Sequence, residues 1–152
     1  MGDAAAESPA QEAVHHLLAI YRYLRRYAKR VSSELGISGR QLAVLRRLQQ
    51  GGPCPVGQIG AHLYLAESTT SELLDGLEQL GLVRRERSRE DNRVTMVALT
   101  PRGEALVAQA PLGGIDLLRH RLRSEPPKQV AALARALEYL GRLMDIADVD
   151  SR

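Results

Sequence analysis

Apolar residues recur at intervals of three and four along most of this chain, which is the spacing of one face of a helix. The clearest series run from Val14 to Leu35 and from Val130 to Met144. Between Leu82 and Leu99 the spacing changes to two short β-prone runs around a polar turn. Because the chain has no Trp and no Phe, we expect a core of Leu, Val, Ile and Ala, which favours helices packed on helices. The sequence therefore predicts a mainly α fold with a small β-hairpin.

Capping residues predict where several of the helices begin and end. Gly36 follows the first apolar series, and Ser38 with Gln41 three positions later forms a capping-box pattern that begins a second helix. Gly81 suits the left-handed cap of a fourth helix over 67–80. Thr100, which precedes a proline, suits the N-cap of a fifth helix.

The overall composition excludes several classes of protein. A formal net charge of +3 and a pI near 9.3 permit a polyanionic partner without establishing one. The single cysteine, Cys54, cannot form a disulfide within the chain, and no apolar run approaches the roughly 20 residues of a membrane-spanning helix. The first twelve residues lack the basic and apolar pattern of a signal peptide. We expect a cytoplasmic protein with no membrane contact.

Four short motifs follow one another between residues 38 and 103. They are Gln41-Leu42-Ala43-Val44-Leu45, Gly81-Leu82-Val83-Arg84-Arg85, Asp91-Asn92-Arg93 and Leu99-Thr100-Pro101-Arg102-Gly103. In these motifs the chain closely resembles the MarR family of transcription regulators, whereas its first and last helices match that family in layout. The resemblance implies a winged helix-turn-helix with long N- and C-terminal dimerisation helices.

The resemblance also implies a division of the chain. We expect a disordered lead over 1–11 and a single domain over 12–148, in which 38–103 forms the winged-helix DNA-binding region. Segments 12–35 and 104–148 would form the dimerisation helices, because their apolar faces are wider than one small domain can cover. The residues expected in the dimer interface are Val14, Leu17, Leu133, Leu137, Leu140 and Met144.

The predicted hairpin is rich in arginine. Its five arginines fall within ten positions, and alternation along a strand places several of them on one face, where they could follow DNA phosphates. The resemblance implies that Arg93 enters a minor groove and that Asp91 holds it, or a neighbouring arginine, in place. The alternative is a solvated hairpin with local ion pairs.

The fourth helix has a different character. Hydroxyl side chains lie near its N-terminus, where they could contact phosphates or base edges, but its exposed face carries acids and no Lys or Arg. Either Asp75 and Glu78 point away from DNA, or the protein binds DNA weakly. The residues expected to contact DNA are Arg40, Ser68, Thr69, Ser71, Arg84, Arg85, Arg87, Arg89, Asp91 and Arg93. A basic cluster in the first helix, at 22–30, fits a solvated face better than a phosphate contact.

Three further points concern ligands and chemistry. The resemblance implies a crevice for a small aromatic or anionic effector, which Tyr21, Arg25 and His62 could line. Cys54 fits an incidental thiol better than an oxidation sensor, because the sensing cysteines of MarR-like proteins lie in the first helix. No cluster of His, Cys or carboxylates and no nucleophile-base pair is evident, so we expect no enzyme activity, cofactor or metal.

The sequence and the resemblance together predict a homodimeric, sequence-specific regulator of transcription that binds double-stranded DNA, and the resemblance implies a repressor that is released by a small ligand. The alternative is a winged-helix module that has lost DNA affinity and binds other proteins, which the acidic fourth helix would suit.

Overall fold

The computed structural model describes residues 8–146, and its contacts divide the chain into one unit up to Gly114 and another from Ile115 onward. The elements, in chain order, are α1 (Pro9–Leu35), α2 (Gly39–Gly51), β1 (Cys54–Pro55), α3 (Val56–Leu63), α4 (Glu67–Gln79), β2 (Val83–Arg87), β3 (Thr95–Leu99), α5 (Pro101–Gln109), α6 (Gly114–Leu122) and α7 (Pro127–Leu143). The predicted fold class, mainly α with a small sheet, is confirmed. None of the helices in the described part is long and apolar enough to cross a membrane.

The predicted helix caps are confirmed. Gly36 and Gly81 both adopt a left-handed backbone with φ of 69°, which an L side chain adopts only with strain. Gln41 donates its backbone N–H to the Ser38 hydroxyl at 3.1 Å, and the Gln41 side chain accepts the Ser38 backbone N–H at 2.9 Å. The Thr100 hydroxyl accepts the backbone N–H of Gly103 at 3.1 Å. These local interactions determine where the helices begin and end.

The first helix begins earlier than the sequence analysis suggested. We expected a disordered lead over 1–11, but α1 begins at Pro9, so residues 9–11 are helical. Ser8 and Gln11 form a capping box, and Pro9 occupies the first helical position, where its missing N–H costs nothing. The remainder of the expected lead, residues 1–7, lies outside the described residues.

The sheet contains a strand that the sequence analysis did not predict. β1 pairs antiparallel with β3, with Cys54 opposite Val97, and the strand order is β1-β3-β2. Pro55, which would suit the first turn of a helix, ends this strand and precedes α3. Two residues are too few to show the alternation that identifies a strand in a sequence.

The core of the first unit forms around α2. Leu42, Leu45 and Leu48 of α2 are almost fully buried, together with Leu74 and Leu77 of α4. Val31 of α1, Ile59 of α3 and the strand residues Val83 and Val97 belong to the same apolar cluster. The wing strands and α4 are thus held on one common core.

The fifth helix belongs to the first unit. We expected 104–148 to form dimerisation helices, but α5 packs against α2 and β3 and lies within the unit that ends at Gly114. Gly103 makes this packing possible, because a Cβ atom there would overlap the carbonyl oxygen of Leu82. The contacts therefore group α5 with the winged-helix elements, whereas the remainder of 104–148 from Ile115 onward lies in the second unit.

The segment between α5 and α6 is held by two helices of the first unit. The carbonyl oxygen of Pro111 accepts the Tyr27 hydroxyl at 2.9 Å and the Arg46 guanidinium at 2.6 Å. Gly114 donates its backbone N–H to the Tyr23 hydroxyl at 3.0 Å. A Cβ atom at Gly113 would overlap the Tyr27 ring, so glycine is required where the chain passes that ring.

The second unit consists of α6 and α7. Leu133, Leu137 and Met144 expose 39%, 51% and 54% of their surfaces, and Leu140 is half-buried. The apolar seam of α7 is thus largely uncovered within its own unit.

Replacing Gly103 with Ala should lower the free energy of unfolding by about 2 kcal/mol, because the added methyl group collides with the backbone of Leu82. Urea denaturation followed by circular dichroism measures the change. Gly57→Ala is the control, since nothing lies within 4 Å of a Cβ atom at that position in α3. That variant should keep or gain stability, by less than about 1 kcal/mol. Equal stability of the two variants would contradict the close contact.

Candidate nucleic-acid interface

The helix pair α3 and α4 packs closely at one point. Gly60 of α3 is buried, and a Cβ atom there would lie 2.8 Å from the hydroxyl oxygen of Thr70 in α4. Thr70 is itself buried and donates its hydroxyl to the carbonyl of Ala66 at 3.0 Å. This contact directs one side of α4 into the core and leaves its other side to solvent.

The exposed side of α4 begins with hydroxyl groups. Ser68 is exposed, and Thr69 and Ser71 are half-buried. The N-cap residue Ala66 offers no side-chain acceptor to the first-turn backbone N–H groups. These N–H groups, which carry the positive end of the helix dipole, can therefore meet a phosphate beside the Ser68 hydroxyl.

The acids at the C-terminal end of α4 are bound by an arginine of the wing. Arg85 of β2 places its Nη1 atom 2.6 Å from Asp75 Oδ1 and 3.2 Å from Glu78 Oε2. The expectation was that these acids point away from DNA or weaken its binding. The structure shows another arrangement, in which a neighbouring cation neutralises them. Asp75 and Glu78 are three residues apart on a helix and so share a side, a signal that the sequence already contained.

Two other wing arginines also contact the protein. Arg84 donates Nε to Glu86 at 2.6 Å and Nη1 to the carbonyl of Leu99 at 2.8 Å. Arg87 donates Nη1 to the carbonyl of Asn92 at 3.0 Å. The guanidinium groups of the strand are thus engaged locally, as the alternative of a hairpin with local ion pairs anticipated.

The backbone of the wing tip is hydrogen-bonded within the loop, and two of its arginines are unengaged in the described part of the chain. Asp91 accepts the backbone N–H of Arg93 at 2.9 Å, so it holds the main chain of Arg93 and not its guanidinium. Ser88 donates its N–H to the carbonyl of Val94, and its hydroxyl accepts the N–H of Glu90. Arg89 and Arg93 are exposed, and their guanidinium groups have no ion pair or hydrogen bond within residues 8–146.

Arg40 and the basic cluster of α1 lie apart from the wing. Arg40 is exposed in the first turn of α2. In α1, Arg30 pairs with Glu34 at 2.8 Å, and Arg22, Arg26 and Lys29 are exposed. This cluster lies on the side of α1 opposite buried residues such as Val31, as expected for a solvated face.

The residues expected to line an effector site fall into two places. In α1 the Arg25 guanidinium lies 5.8 Å from the centre of the Tyr21 ring, and both residues are exposed. His62 is exposed on α3. A cavity of about 600 Å³ lies behind the wing, between the end of α2, the strands and α5, and includes Arg84 and Glu104 in its lining. None of Tyr21, Arg25 and His62 lines it.

Cys54 is buried in β1. Burial raises the pKa of its thiol, because desolvation disfavours the thiolate, and the nearby Arg47 acts in the opposite direction. The structure therefore places the thiol where thiolate chemistry is suppressed.

Known proteins are similar to this chain over most of its length. The model of the MarR family matches residues 37–95. An organic hydroperoxide resistance transcriptional regulator of Bacillus subtilis is 32% identical over 126 residues, which cover 82% of this chain and 86% of that protein. The chain belongs to the MarR family. Its relatives are transcription regulators and not enzymes, so this MarR protein is a DNA-binding regulator of transcription.

Solved structures agree with the MarR assignment. A probable transcriptional regulator from Pseudomonas aeruginosa is 26% identical, with a TM-score of 0.58, and the match covers 81% of this chain and 94% of that one. Wild-type MarR from E. coli, in its apo form, is 24% identical with a TM-score of 0.58, and the match covers 89% and 98% of the two chains. The second similarity concerns the fold alone.

Cys54 should react slowly with a disulfide reagent such as DTNB while the MarR protein is folded. Its labelling rate should be at least about tenfold lower than in guanidinium, because both burial and the raised pKa reduce access to the thiolate. The rate should keep rising above about pH 8.5, the usual pKa of a thiol. The protein unfolded in guanidinium is the control. Rapid native labelling that levels off near neutral pH would contradict this description.

Proposed function

We propose that this MarR protein acts as a homodimeric repressor in the cytoplasm, with α4 of each subunit in a major groove of the operator and each wing tip in the adjacent minor groove. The observation that carries this proposal is the pair of unengaged guanidinium groups at the wing tip, Arg89 and Arg93, on a loop whose backbone is fixed by Asp91. A narrow minor groove concentrates negative potential and so attracts guanidinium.

The exposed side of α4 supplies the sequence-specific contacts in this proposal. Hydroxyl groups both donate and accept, so Ser68, Thr69 and Ser71 can contact base edges or phosphates. Arg40 would contact the phosphate backbone and position the subunit without selecting a sequence. Arg87 is less available for DNA than Arg89 and Arg93, because its guanidinium already donates to the carbonyl of Asn92 in the loop.

Dimerisation is supported by apolar surface that neither unit covers by itself. In the second unit, α7 exposes Leu133, Leu137 and Met144; in the first, α1 exposes Val14 and leaves Leu17 half-buried. Such rows of apolar side chains favour burial against another helix, and a second copy of the chain supplies an identical row. Two subunits also present two recognition helices, which fits a symmetric operator.

Repression and its relief follow from the same arrangement. A dimer that occupies adjacent grooves excludes RNA polymerase from an overlapping promoter. We infer that a small anionic aromatic effector lowers DNA affinity by favouring a conformation in which the wings no longer fit the grooves. The neighbouring Tyr21 ring and Arg25 guanidinium suit such a molecule, since one offers a stacking surface and the other a cation.

The alternative, a winged-helix module that binds proteins, relied on the acidic side of α4. Arg85 neutralises Asp75 and Glu78, which leaves Glu67 and Glu72 as the acids of α4 without an ion pair in the described residues. The structure therefore removes half of the charge that favoured this alternative. DNA binding is the better-supported function.

Titration of the purified protein with the duplex upstream of its own gene, at two salt concentrations, tests the proposal. We expect sequence preference and a steep salt dependence. Arg93→Ala should weaken binding to all duplexes and lower the slope of log K against log salt by about 0.9 for one lost phosphate contact. Ser68→Ala should change the sequence preference and keep the slope. Arg135→Ala, which removes an exposed charge from α7, is the control and should bind as the wild type does. Indifference to DNA at low salt would overturn the proposal.

Leu137→Asp should convert the dimer to a monomer at micromolar concentration, because it places a charge in the apolar row of α7. Sedimentation velocity measures the mass, and circular dichroism checks that the helices persist. Arg135→Asp introduces the same side chain about 200° around the helix and should remain dimeric. A monomeric wild type, or two variants of equal mass, would argue against this interface.

A further inference from the structure

The Arg85 guanidinium donates hydrogen bonds to three residues of α4. We propose that Arg85 is a positioning residue that fastens the wing to the C-terminal half of α4 and does not itself contact DNA. This inference rests on the DNA-binding mode proposed above, and it reassigns one of the residues that the sequence analysis expected to contact DNA.

The geometry uses both the side chain and the main chain of Arg85. Nη1 donates to Asp75 Oδ1 at 2.6 Å and to Glu78 Oε2 at 3.2 Å, and Nη2 donates to the carbonyl of Ser71 at 3.3 Å. The backbone N–H of Arg85 donates to Glu78 Oε1 at 3.2 Å. The three acceptor residues are four and three positions apart along α4, so they form one ridge that the guanidinium spans.

Arg85 differs from the arginines of the wing tip in how much of its side chain is exposed. The Arg85 side chain is 25% exposed, whereas Arg89 and Arg93 are exposed and lack such partners in the described part of the chain. To reach a phosphate, Arg85 would have to release two carboxylates, which would then face the DNA uncompensated. A charge-assisted fork with three acceptors holds a side chain more firmly than one isolated surface pair does, so Arg85 favours its place on α4.

The fastening determines where the two DNA-contacting parts lie relative to each other. Arg85 lies in the middle of β2, opposite Val97 of β3, and α4 carries Ser68 and Ser71 on the same side as Asp75. Because β2 leads directly into the loop that bears Arg89, a shift of β2 on α4 moves the wing tip relative to the recognition helix. The fork therefore fixes the spacing between the two groove contacts.

This role makes an unusual prediction for the acids of α4. By charge alone, removing carboxylates beside DNA should strengthen binding. If Asp75 and Glu78 hold Arg85, their removal loosens the wing, and binding should weaken instead.

The test uses a double variant that carries both Asp75→Asn and Glu78→Gln. The matched control is Glu72→Gln. Glu72 is exposed on the same helix and has no ion pair among residues 8–146. We expect DNA affinity to fall roughly fivefold to tenfold in the double variant and to stay equal or rise in the control. A rise in both would overturn the proposal, because it would mean that the acids act only by repulsion.

Arg85→Ala provides the second measurement. We expect it to lower DNA affinity without changing the slope of log K against log salt, since no phosphate contact is lost. Arg93→Ala, measured in parallel, should lower that slope. A fall of about 0.9 in the slope for Arg85→Ala would show that Arg85 neutralises a phosphate and would overturn the proposal.

A measurement without DNA separates this inference from the proposed function. Hydrogen exchange in the free protein should become faster in β2 of the Asp75→Asn, Glu78→Gln variant and should stay unchanged in Glu72→Gln. If exchange becomes faster in the double variant but the wild type does not bind DNA, the role proposed for Arg85 is supported and the DNA-binding mode is refuted. Unchanged exchange would refute the fastening, whatever the wild type does with DNA.

Discussion

The burial of α2 is the constraint on which the winged-helix unit depends. This helix contacts α1, α3, α4, α5 and β3, and buried residues such as Leu42, Val44 and Leu45 lie on more than one of its sides. Full burial of one such side chain contributes on the order of 1.5–3 kcal/mol, so α2 is the main source of stability for the elements around it. Helix α4 and the wing strand β3 both pack on α2, and neither forms a separate core.

The guanidinium groups of the wing contact the protein near α2 and point to solvent farther from it. Near the core, Arg84 and Arg85 satisfy acids and carbonyls of the protein; at the tip, Arg89 and Arg93 point to solvent. Arginine therefore serves two purposes within ten residues, according to whether its guanidinium has a hydrogen-bond acceptor on the protein. The unengaged guanidinium groups thus lie at the far end of the hairpin, where they share the loop with the carboxylates of Glu90 and Asp91.

Helix order, caps and apolar faces could be predicted because they depend on residues three or four positions apart, as Ser38 and Gln41 show. β1 could not, since a two-residue strand is defined by its partner β3, more than forty residues away. The start of α1 was misplaced because the alanine-rich, acidic sequence around Ser8 resembles a disordered lead until the capping box of Ser8 and Gln11 is seen. The residues expected to contact DNA followed largely from family motifs, whereas the acids that bind Arg85 lie seven and ten residues away on α4, outside those motifs.

The loop at the wing tip is closed almost entirely by its own atoms. Ser88, Asp91 and Val94 bond to one another and to the backbone between them, and none of these bonds reaches α2 or α4. The side chains at 89 and 93 can consequently be exchanged without repacking anything beneath them. A lineage of such proteins could adjust how tightly it holds DNA by exchanging these two side chains, while the loop backbone and the core beneath it stay unchanged.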